Sequence, residues 1–178
     1  SAEDNIGIGR DVFNALTSGS ENYSYGAKAG EAITSGNKNV VIGKQTGASI
    51  TEQHGNTFVG YRAGQKTLSN YNVALGYQAL QGVTNKLEGD YNIAIGYDAL
   101  SGALDAAIGN ISIGKDSLLV NTTGDYNISI GHGAGDNIST GSNNVVIGAA
   151  DVSSATADSQ LSISDGDGGT TWIQGNEA

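Results

Sequence analysis

The aspartates near the C-terminus have part of the spacing of a metal-binding loop. Asp165, Asp167 and Gly168 match the start of a calcium loop, in which alternate carboxylates bind the ion and a glycine permits a sharp turn. The later ligands of such a loop, including its final glutamate, are absent from the sequence. The segment therefore predicts a polar turn, and whether it binds calcium is left open.

The segment from Gly109 to Lys115 has most of the pattern of a phosphate-binding loop, which surrounds phosphates with backbone N–H groups. The next residue is Asp116, where such a loop has a serine or threonine that ligates Mg²⁺. A carboxylate at this place would repel the phosphate. Both glycines of the segment also belong to an internal repeat, which explains the match, so no nucleotide is expected.

Paired carboxylates are the next candidates for chemistry. Asp98 and Asp116 occupy equivalent places in neighbouring repeats, whereas a glycosidase holds its two acids across a cleft, about 5–10 Å apart. Without a cleft we expect a solvated column. His54 and His132 lie in different repeats and lack the spacing of a metal site. The sequence therefore predicts no catalytic residue, no metal site and no cofactor, and the protein is expected not to be an enzyme.

The overall charge narrows the range of partners. The chain of 178 residues has a formal net charge of −10, from 18 acidic and 8 basic residues. Phosphate backbones and anionic lipid surfaces attract basic proteins, so neither nucleic acid nor a membrane is expected as a partner. There is no cysteine, and no apolar run approaches the roughly 20 residues of a membrane-spanning helix.

A repeated frame, Asn-x-x-x-Gly, organises the chain. It opens at nine asparagines spaced 16 to 20 residues apart, most often 17. These frame asparagines are Asn5, Asn22, Asn39, Asn56, Asn72, Asn92, Asn110, Asn127 and Asn144. A fixed period of this size is typical of a repeat architecture, in which each unit packs on its neighbours.

Each frame predicts a short β-strand. The residues one and three places after the asparagine are bulky, as in Ile93 and Ile95, and the residue between them is small in most frames, as in Ala94. This alternation places the bulk on one face and predicts a thin opposite face, which another layer could approach closely. The glycine that ends the frame, such as Gly96, suits a positive φ or a close backbone contact.

A weaker apolar patch follows seven and eight residues after the asparagine, as in Ala79–Leu80 and Ala99–Leu100. We interpret each repeat as one coil of a solenoid, with two short strands joined by polar turns. The predicted fold class is an all-β repeat solenoid, a parallel β-roll of about nine coils of about 17 residues each. At about 4.8 Å per coil, the rod would be about 43 Å long.

The predicted core is thin. Each buried Ile or Val contributes about 1.5–3 kcal/mol. About two or three such residues per coil barely offset an ordering cost of about 1.5 kcal/mol per residue. Association of several chains would bury a second apolar face, and we therefore expect an oligomer.

Three tyrosines mark the middle of the array. Tyr61, Tyr77 and Tyr97 each follow the frame glycine in consecutive coils, and they are predicted to stack as a ladder. They are the candidate contact residues, either for packing between chains or for binding a receptor.

The pattern predicts two parts in the chain. Residues 1–150 form the β-roll, and residues 151–178 form a β-hairpin-like segment that caps or connects it, with strands around a turn at 165–169. The coil that begins at Asn72 is the longest, and its extra residues fall at 84–91. Such an insertion is either a binding loop or a tolerated surface loop.

The repeats Asn72–Leu80 and Asn92–Leu100 resemble those of bacteriophage tail fibres. They are also similar to the head repeats of YadA-type trimeric autotransporter adhesins. The resemblance covers residues 5 to about 150 and implies a homotrimer of left-handed parallel β-rolls that attaches to a cell surface. The segment Leu161–Gly175 is similar to stretches that follow such repeats in phage fibres.

Two features separate the possible origins. The adhesin coil is usually shorter than the repeat in this chain, and no neck or anchor of the adhesin type is present in the sequence, which favours a phage fibre located in the virion. The expected partner is a host cell-surface glycan or protein receptor. Two alternatives stay open: the head of a bacterial surface adhesin, and a tailspike that binds or depolymerises polysaccharide.

Overall fold

The computed structural model describes residues 2–82, 89–102, 105–167 and 169–175. Within these ranges the chain forms a single sheet of eleven strands and no helix. Nine of the strands have three residues each, and each of these begins immediately after a frame asparagine. The strands are β1 (Ile6–Ile8), β2 (Tyr23–Tyr25), β3 (Val40–Ile42), β4 (Thr57–Val59), β5 (Val73–Leu75), β6 (Ile93–Ile95), β7 (Ile111–Ile113), β8 (Ile128–Ile130), β9 (Val145–Ile147), β10 (Leu161–Ser164) and β11 (Thr171–Gly175).

The strands stack in frame register. From β1 to β10 neighbouring strands pair in parallel, and equivalent residues lie opposite one another, as Ala94 does to Ala74 and to Ser112. The prediction of an all-β parallel solenoid of about nine coils is confirmed. β10 extends the sheet beyond β9 in the same register, and β11 returns antiparallel to β10. The sheet is therefore continuous across residue 150.

The prediction of a second strand in each coil is wrong for the part of the chain that the structure describes. The second apolar patch lies in turns, and its residues alternate into the left-handed region. Gln78 and Leu80 have φ of 55° and 51°, and Asp98 and Leu100 both have φ of 50°. A strand needs consecutive residues with extended, negative φ, so this patch cannot form one. The insertion expected at residues 84–91 falls largely outside the described residues.

The thin face of each strand is the face that points inward. The central residues Ala74 and Ala94 have no exposed surface, whereas Ile6 and Ile8 are 54% and 58% exposed. The reason lies on the opposite wall of the coil, where Leu80 and other residues from the turn fill the interior. This leaves room for only a small residue on the strand, and the bulky strand residues therefore face outward.

The large side chains that fill a coil come from its strand, from its turn or, as with Val41 and Ile50 in the coil of Asn39, from both. In the coil of Asn56 the strand supplies Phe58 and the turn supplies Gly64, whose absent Cβ would lie 2.3 Å from the Phe58 ring. In the next coil the strand supplies Ala74 and the turn supplies Leu80, and all of these residues except the glycine belong to the buried core. Because protein interiors are close-packed, the two positions are coupled in size.

The frame glycine is required for the predicted reasons. Gly76 has φ of 140°, and a Cβ on it would lie 2.4 Å from the carbonyl oxygen of Gly96 in the next coil. No side chain fits at that distance, so the frame glycines let adjacent coils approach to hydrogen-bonding distance.

The frame asparagines form a buried ladder of amides. Asn110 Nδ2 donates to Asn92 Oδ1 at 3.1 Å and to Gly124 O at 2.9 Å. Asn110 Oδ1 accepts from the backbone N–H and the side-chain amide of Asn127, at 2.9 and 3.1 Å. The ladder asparagines from Asn22 to Asn144 have no exposed surface. Each of these side chains therefore joins neighbouring coils, and that of Asn110 also closes the turn of its own coil.

Gln160 takes the place of asparagine at the last rung. Its backbone N–H and its Nε2 donate to Asn144 Oδ1, at 2.9 and 3.1 Å. Its Oε1 accepts instead from Ser153 Oγ and from the Ser154 N–H, both of which belong to the preceding loop. Because glutamine has one methylene more than asparagine, its Oε1 turns back to the preceding loop and not toward a following coil.

Substitution by alanine should change the stability of the protein in opposite directions at two inward-facing serines in neighbouring coils. The buried Ser129 hydroxyl has no hydrogen-bond partner, whereas Ser112 Oγ donates to Ser117 O at 2.8 Å. We expect Ser129→Ala to raise the free energy of unfolding by about 1 kcal/mol and Ser112→Ala to lower it by about 1 kcal/mol. Urea unfolding of both variants measures this, and a shift of the same sign in the two would contradict it.

Candidate binding and interface surface

The three candidate tyrosines come together as a stacked column. The ring centroids of Tyr61 and Tyr77 are 5.1 Å apart with the planes 26° from parallel, and those of Tyr77 and Tyr97 are 5.0 Å apart and 3° from parallel. Parallel strands place equivalent residues one strand spacing apart, which is close to the stacking distance of aromatic rings. The ladder geometry follows from the frame.

Cations cover both ends of this column. The Arg62 guanidinium lies 5.0 Å from the centroid of Tyr61, and the Lys115 ammonium lies 5.6 Å from that of Tyr97. Each ring face in the column is thus in contact with another ring or with a cation. What the column presents to solvent is ring edges and phenol hydroxyls, so it is suited to hydrogen bonding and edge packing more than to stacking against a sugar.

A second tyrosine column was not anticipated from the sequence. Tyr71 and Tyr91 stack with centroids 5.3 Å apart and planes 8° from parallel. Tyr126 lies further along the same column with its ring against Gly109. Each of these exposed tyrosines directly precedes a frame asparagine and has a positive φ. The recurring Tyr-Asn pair was the available signal, although a left-handed residue there is not readable from it.

The outward strand residues form two apolar columns, defined as the residues one and three places after each frame asparagine. The most exposed of these lie toward the two ends, such as Ile8 and Tyr25 in the first two coils and Ile147 in β9. In the first three coils they line a shallow apolar groove. Because these columns consist mainly of Ile, Val, Leu and Tyr, the free chain presents a continuous apolar strip to water along its length.

The two aspartates considered for acid–base chemistry do lie in neighbouring coils. Burial raises the pKa of the Asp98 carboxyl, repulsion from Asp116 raises it further, and Lys115 opposes the shift. The Lys115 ammonium pairs with Asp116. The backbone N–H of Asp116 donates to Tyr97 O, which fixes the two acids one coil apart along the column.

A second acidic pair lies near the C-terminal end of the array. Burial raises the pKa of Asp136, and the charge of Asp151 and a hydrogen bond to it raise that pKa further. Among the residues that the structure describes, no group of three or more His, Asp or Glu side chains is placed to hold a metal ion.

The C-terminal turn uses its carboxylates for its own backbone. Asp165 Oδ1 accepts from the Thr170 N–H and Asp167 Oδ1 from the Gly169 N–H, both at 3.1 Å. The bond from the Thr170 backbone is the largest influence holding the pKa of Asp165 below its ordinary value. Gly168 lies outside the described residues. These contacts are those of a polar turn, as the sequence predicts.

The segment that matches a phosphate-binding loop contains strand β7, which pairs with β6 and β8 on its two sides. Its backbone N–H groups bond to neighbouring coils, as that of Ile111 does to Asn127 O at 2.8 Å. They are therefore not directed at a phosphate.

The described residues include no helix long and apolar enough to cross a membrane. Comparison of the chain with models of protein families, with curated proteins and with solved structures finds no match.

Proposed function

We propose that this chain is a structural and adhesive segment of a phage fibre, a homotrimeric β-roll that takes part in attachment to the host cell. The observation that carries the proposal is the pair of apolar columns on the outer face of a rod whose interior is already filled. In a free chain this apolar face is exposed to water. Packing against other copies of the chain would cover it over several coils.

The direction of the strand side chains supports association of copies. The interior needs no partner, because buried apolar residues fill the coils and the asparagine ladder satisfies the buried amides. The outer columns have the opposite character, since more than half of the surface of Ile6, Ile8 and Tyr25 is exposed. A symmetric oligomer applies the same columns to each neighbour and covers all of them at once.

The regular rod supports a role in which length and surface matter more than a reaction centre. The hydrogen-bonded frame fixes the backbone, and the turns between frames vary in sequence and length. Variable loops on a rigid scaffold are the usual location of binding residues. A net charge of −10 is compatible with a receptor that is a glycan or a protein.

The oligomer is tested by placing charge on the apolar columns. The chain has a mass of 18.0 kDa, so three copies have a mass of 3 × 18.0 = 54.0 kDa, which multi-angle light scattering resolves. We expect Ile42→Asp combined with Ile130→Asp to convert the trimer into monomers, because an unpaired carboxylate inside an apolar interface costs several kcal/mol.

The control is Ser18→Asp, which adds the same charge at an exposed turn residue and should leave the mass unchanged. A folded wild-type monomer at micromolar concentration would refute the trimer. The attachment role is tested separately, by measuring binding of the labelled chain to intact cells of a panel of bacteria. Absence of binding to every strain of the panel would refute that role.

A further inference from the structure

An open cleft of about 380 Å³ lies beside the N-terminal ends of strands β2 to β5. Two neighbouring columns of residues line the cleft. The first column contains the residues directly before the frame asparagines, and the second contains the residues two places before them. The lining residues are Glu21, Asn37, Lys38, His54 and Tyr71. Gly55 stands between Lys38 and Tyr71 in the first column, so one coil supplies no side chain. Two strand spacings leave a gap of about 10 Å between the backbones on its two sides.

Tyr71 forms a fixed aromatic wall of the cleft. One face of its ring stacks on Tyr91. Its other side lies against Gly55, where an added Cβ would be only 2.6 Å from Tyr71 Cδ1. Gly55 therefore makes room for the Tyr71 ring. The part of this ring face that extends beyond the Gly55 backbone is not covered by any side chain of the first column. This differs from the Tyr61–Tyr97 column, whose end faces carry cations.

His54 provides an oriented donor in the cleft. Its Nδ1 accepts a hydrogen bond from the Asn37 backbone N–H at 3.0 Å, and its own backbone N–H donates to Asn70 Oδ1 at 2.9 Å. A neutral imidazole carries one proton, so the acceptor role of Nδ1 assigns the proton to Nε2. No described residue accepts a hydrogen bond from Nε2.

Lys38 provides the charge. The ion pairs among the described residues join Arg10 to Asp11, Lys28 to Glu31 and Lys115 to Asp116, so the Lys38 ammonium has no carboxylate partner there. Glu21 lies one coil away in the same column without coming within ion-pair distance. The Lys38 ammonium attracts a carboxylate, and Glu21 is able to accept hydrogen bonds from hydroxyl groups of the same ligand.

We propose that this cleft binds a hexuronic acid residue of an acidic polysaccharide. The sugar carboxylate pairs with Lys38, a ring or hydroxyl oxygen accepts the His54 Nε2 proton, and the C–H face of the pyranose packs on Tyr71. The inference names a receptor class for the attachment role and rests on the proposed function for its biological meaning only.

The test is a titration of the purified chain with methyl β-D-glucuronide, followed through the backbone amide NMR shifts, with methyl β-D-glucoside as the neutral probe. We expect shifts at residues 37, 38, 54, 55 and 71 and a dissociation constant of about 1 mM. The glucoside should bind about tenfold more weakly, because it lacks the charge-assisted bond to Lys38.

Substitutions identify the site. Lys38→Gln should weaken glucuronide binding about tenfold and remove the preference over the glucoside. Tyr71→Ala should weaken both probes. The matched control is Tyr126→Ala, because Tyr126 also lies on a glycine, Gly109, but Tyr91 and Ile108 occupy there the positions equivalent to Lys38 and His54. That variant should bind both probes as the wild type does.

Several outcomes would overturn the site: equal affinity for the two probes, no shift with glucuronide at concentrations well above the millimolar range, shifts confined to other coils, or a Lys38→Gln variant with unchanged affinity. Glucuronide binding without any binding to cells would refute the attachment role and leave the cleft assignment standing. Cell binding that Lys38→Gln leaves unchanged would refute the cleft as the receptor site and leave the attachment role standing.

Discussion

Replacing Phe58 by alanine is expected to lower the free energy of unfolding by about 3–5 kcal/mol, the range for deleting a fully buried aromatic ring. Phe58 is the largest completely buried side chain among the described residues, and its ring is the one large group in the interior of its coil. The facing residue is Gly64, which has no side chain to fill the cavity.

The decisive form of this experiment is a double-variant cycle. Gly64→Leu alone should be strongly destabilising, since its Cβ would lie 2.3 Å from the Phe58 ring. In the Phe58→Ala background the same substitution should instead recover about 2 kcal/mol or more, because it recreates the Ala74–Leu80 pair of the next coil. Leu80 has φ of 51° and Gly64 has φ of 57°, so the backbone already suits the exchange. Denaturant unfolding of the four proteins measures the cycle, and additive effects would show that the two positions are not coupled.

Asn110→Ala is expected to lower the free energy of unfolding by about 2–6 kcal/mol, since it leaves two buried groups without a partner and each costs about 1–3 kcal/mol. The change removes the acceptor of the Asn127 N–H and the donor to Gly124 O, and both groups are buried where water cannot replace the amide. Thermal unfolding should show a fall of about 10–20 °C in a chain of this size.

Two comparisons separate the ladder from a general effect of asparagine. Asn14 is exposed and outside the ladder, and Asn14→Ala should change stability by less than about 0.5 kcal/mol. Asn5, at the partly exposed first rung, makes similar bonds to Gly19 O and Asn22, but water reaches it, so Asn5→Ala should fall between the other two. An Asn110→Ala variant as stable as Asn14→Ala would show that the ladder adds nothing.

The positions of the nine three-residue strands and their parallel register were readable from the sequence, because a fixed frame permits only one alignment of equivalent residues. The direction of their side chains was not. Alternation shows that Ile93 and Ile95 share a face, yet it does not say which face points inward. That depends on Leu100, which fills the interior from the opposite wall at a position whose left-handed backbone the sequence does not reveal.

The recurring asparagine is visible in the sequence as the start of each frame, but the sequence analysis does not predict that its side chains form a buried ladder. A polar residue that recurs at every repeat while the surrounding turns vary was the available signal for a buried structural role. For the candidate site, the sequence identified Tyr61, Tyr77 and Tyr97 but not the cleft at Lys38 and Tyr71. The cleft depends on a side chain being absent at one coil, which becomes visible only when the coils are stacked.

Gln160 stands where the earlier coils have a frame asparagine, and it makes the two ends of the amide ladder chemically different. Every frame asparagine offers its side-chain oxygen to the coil that follows it, whereas the Gln160 oxygen is already bonded to Ser153 and Ser154. A further unit spliced in before Asn5 would supply an oxygen to the Asn5 backbone N–H, while one grafted after Gln160 would find that oxygen occupied. Duplication of a whole unit before Gln160 would therefore lengthen the solenoid by about 4.8 Å and keep the ladder intact.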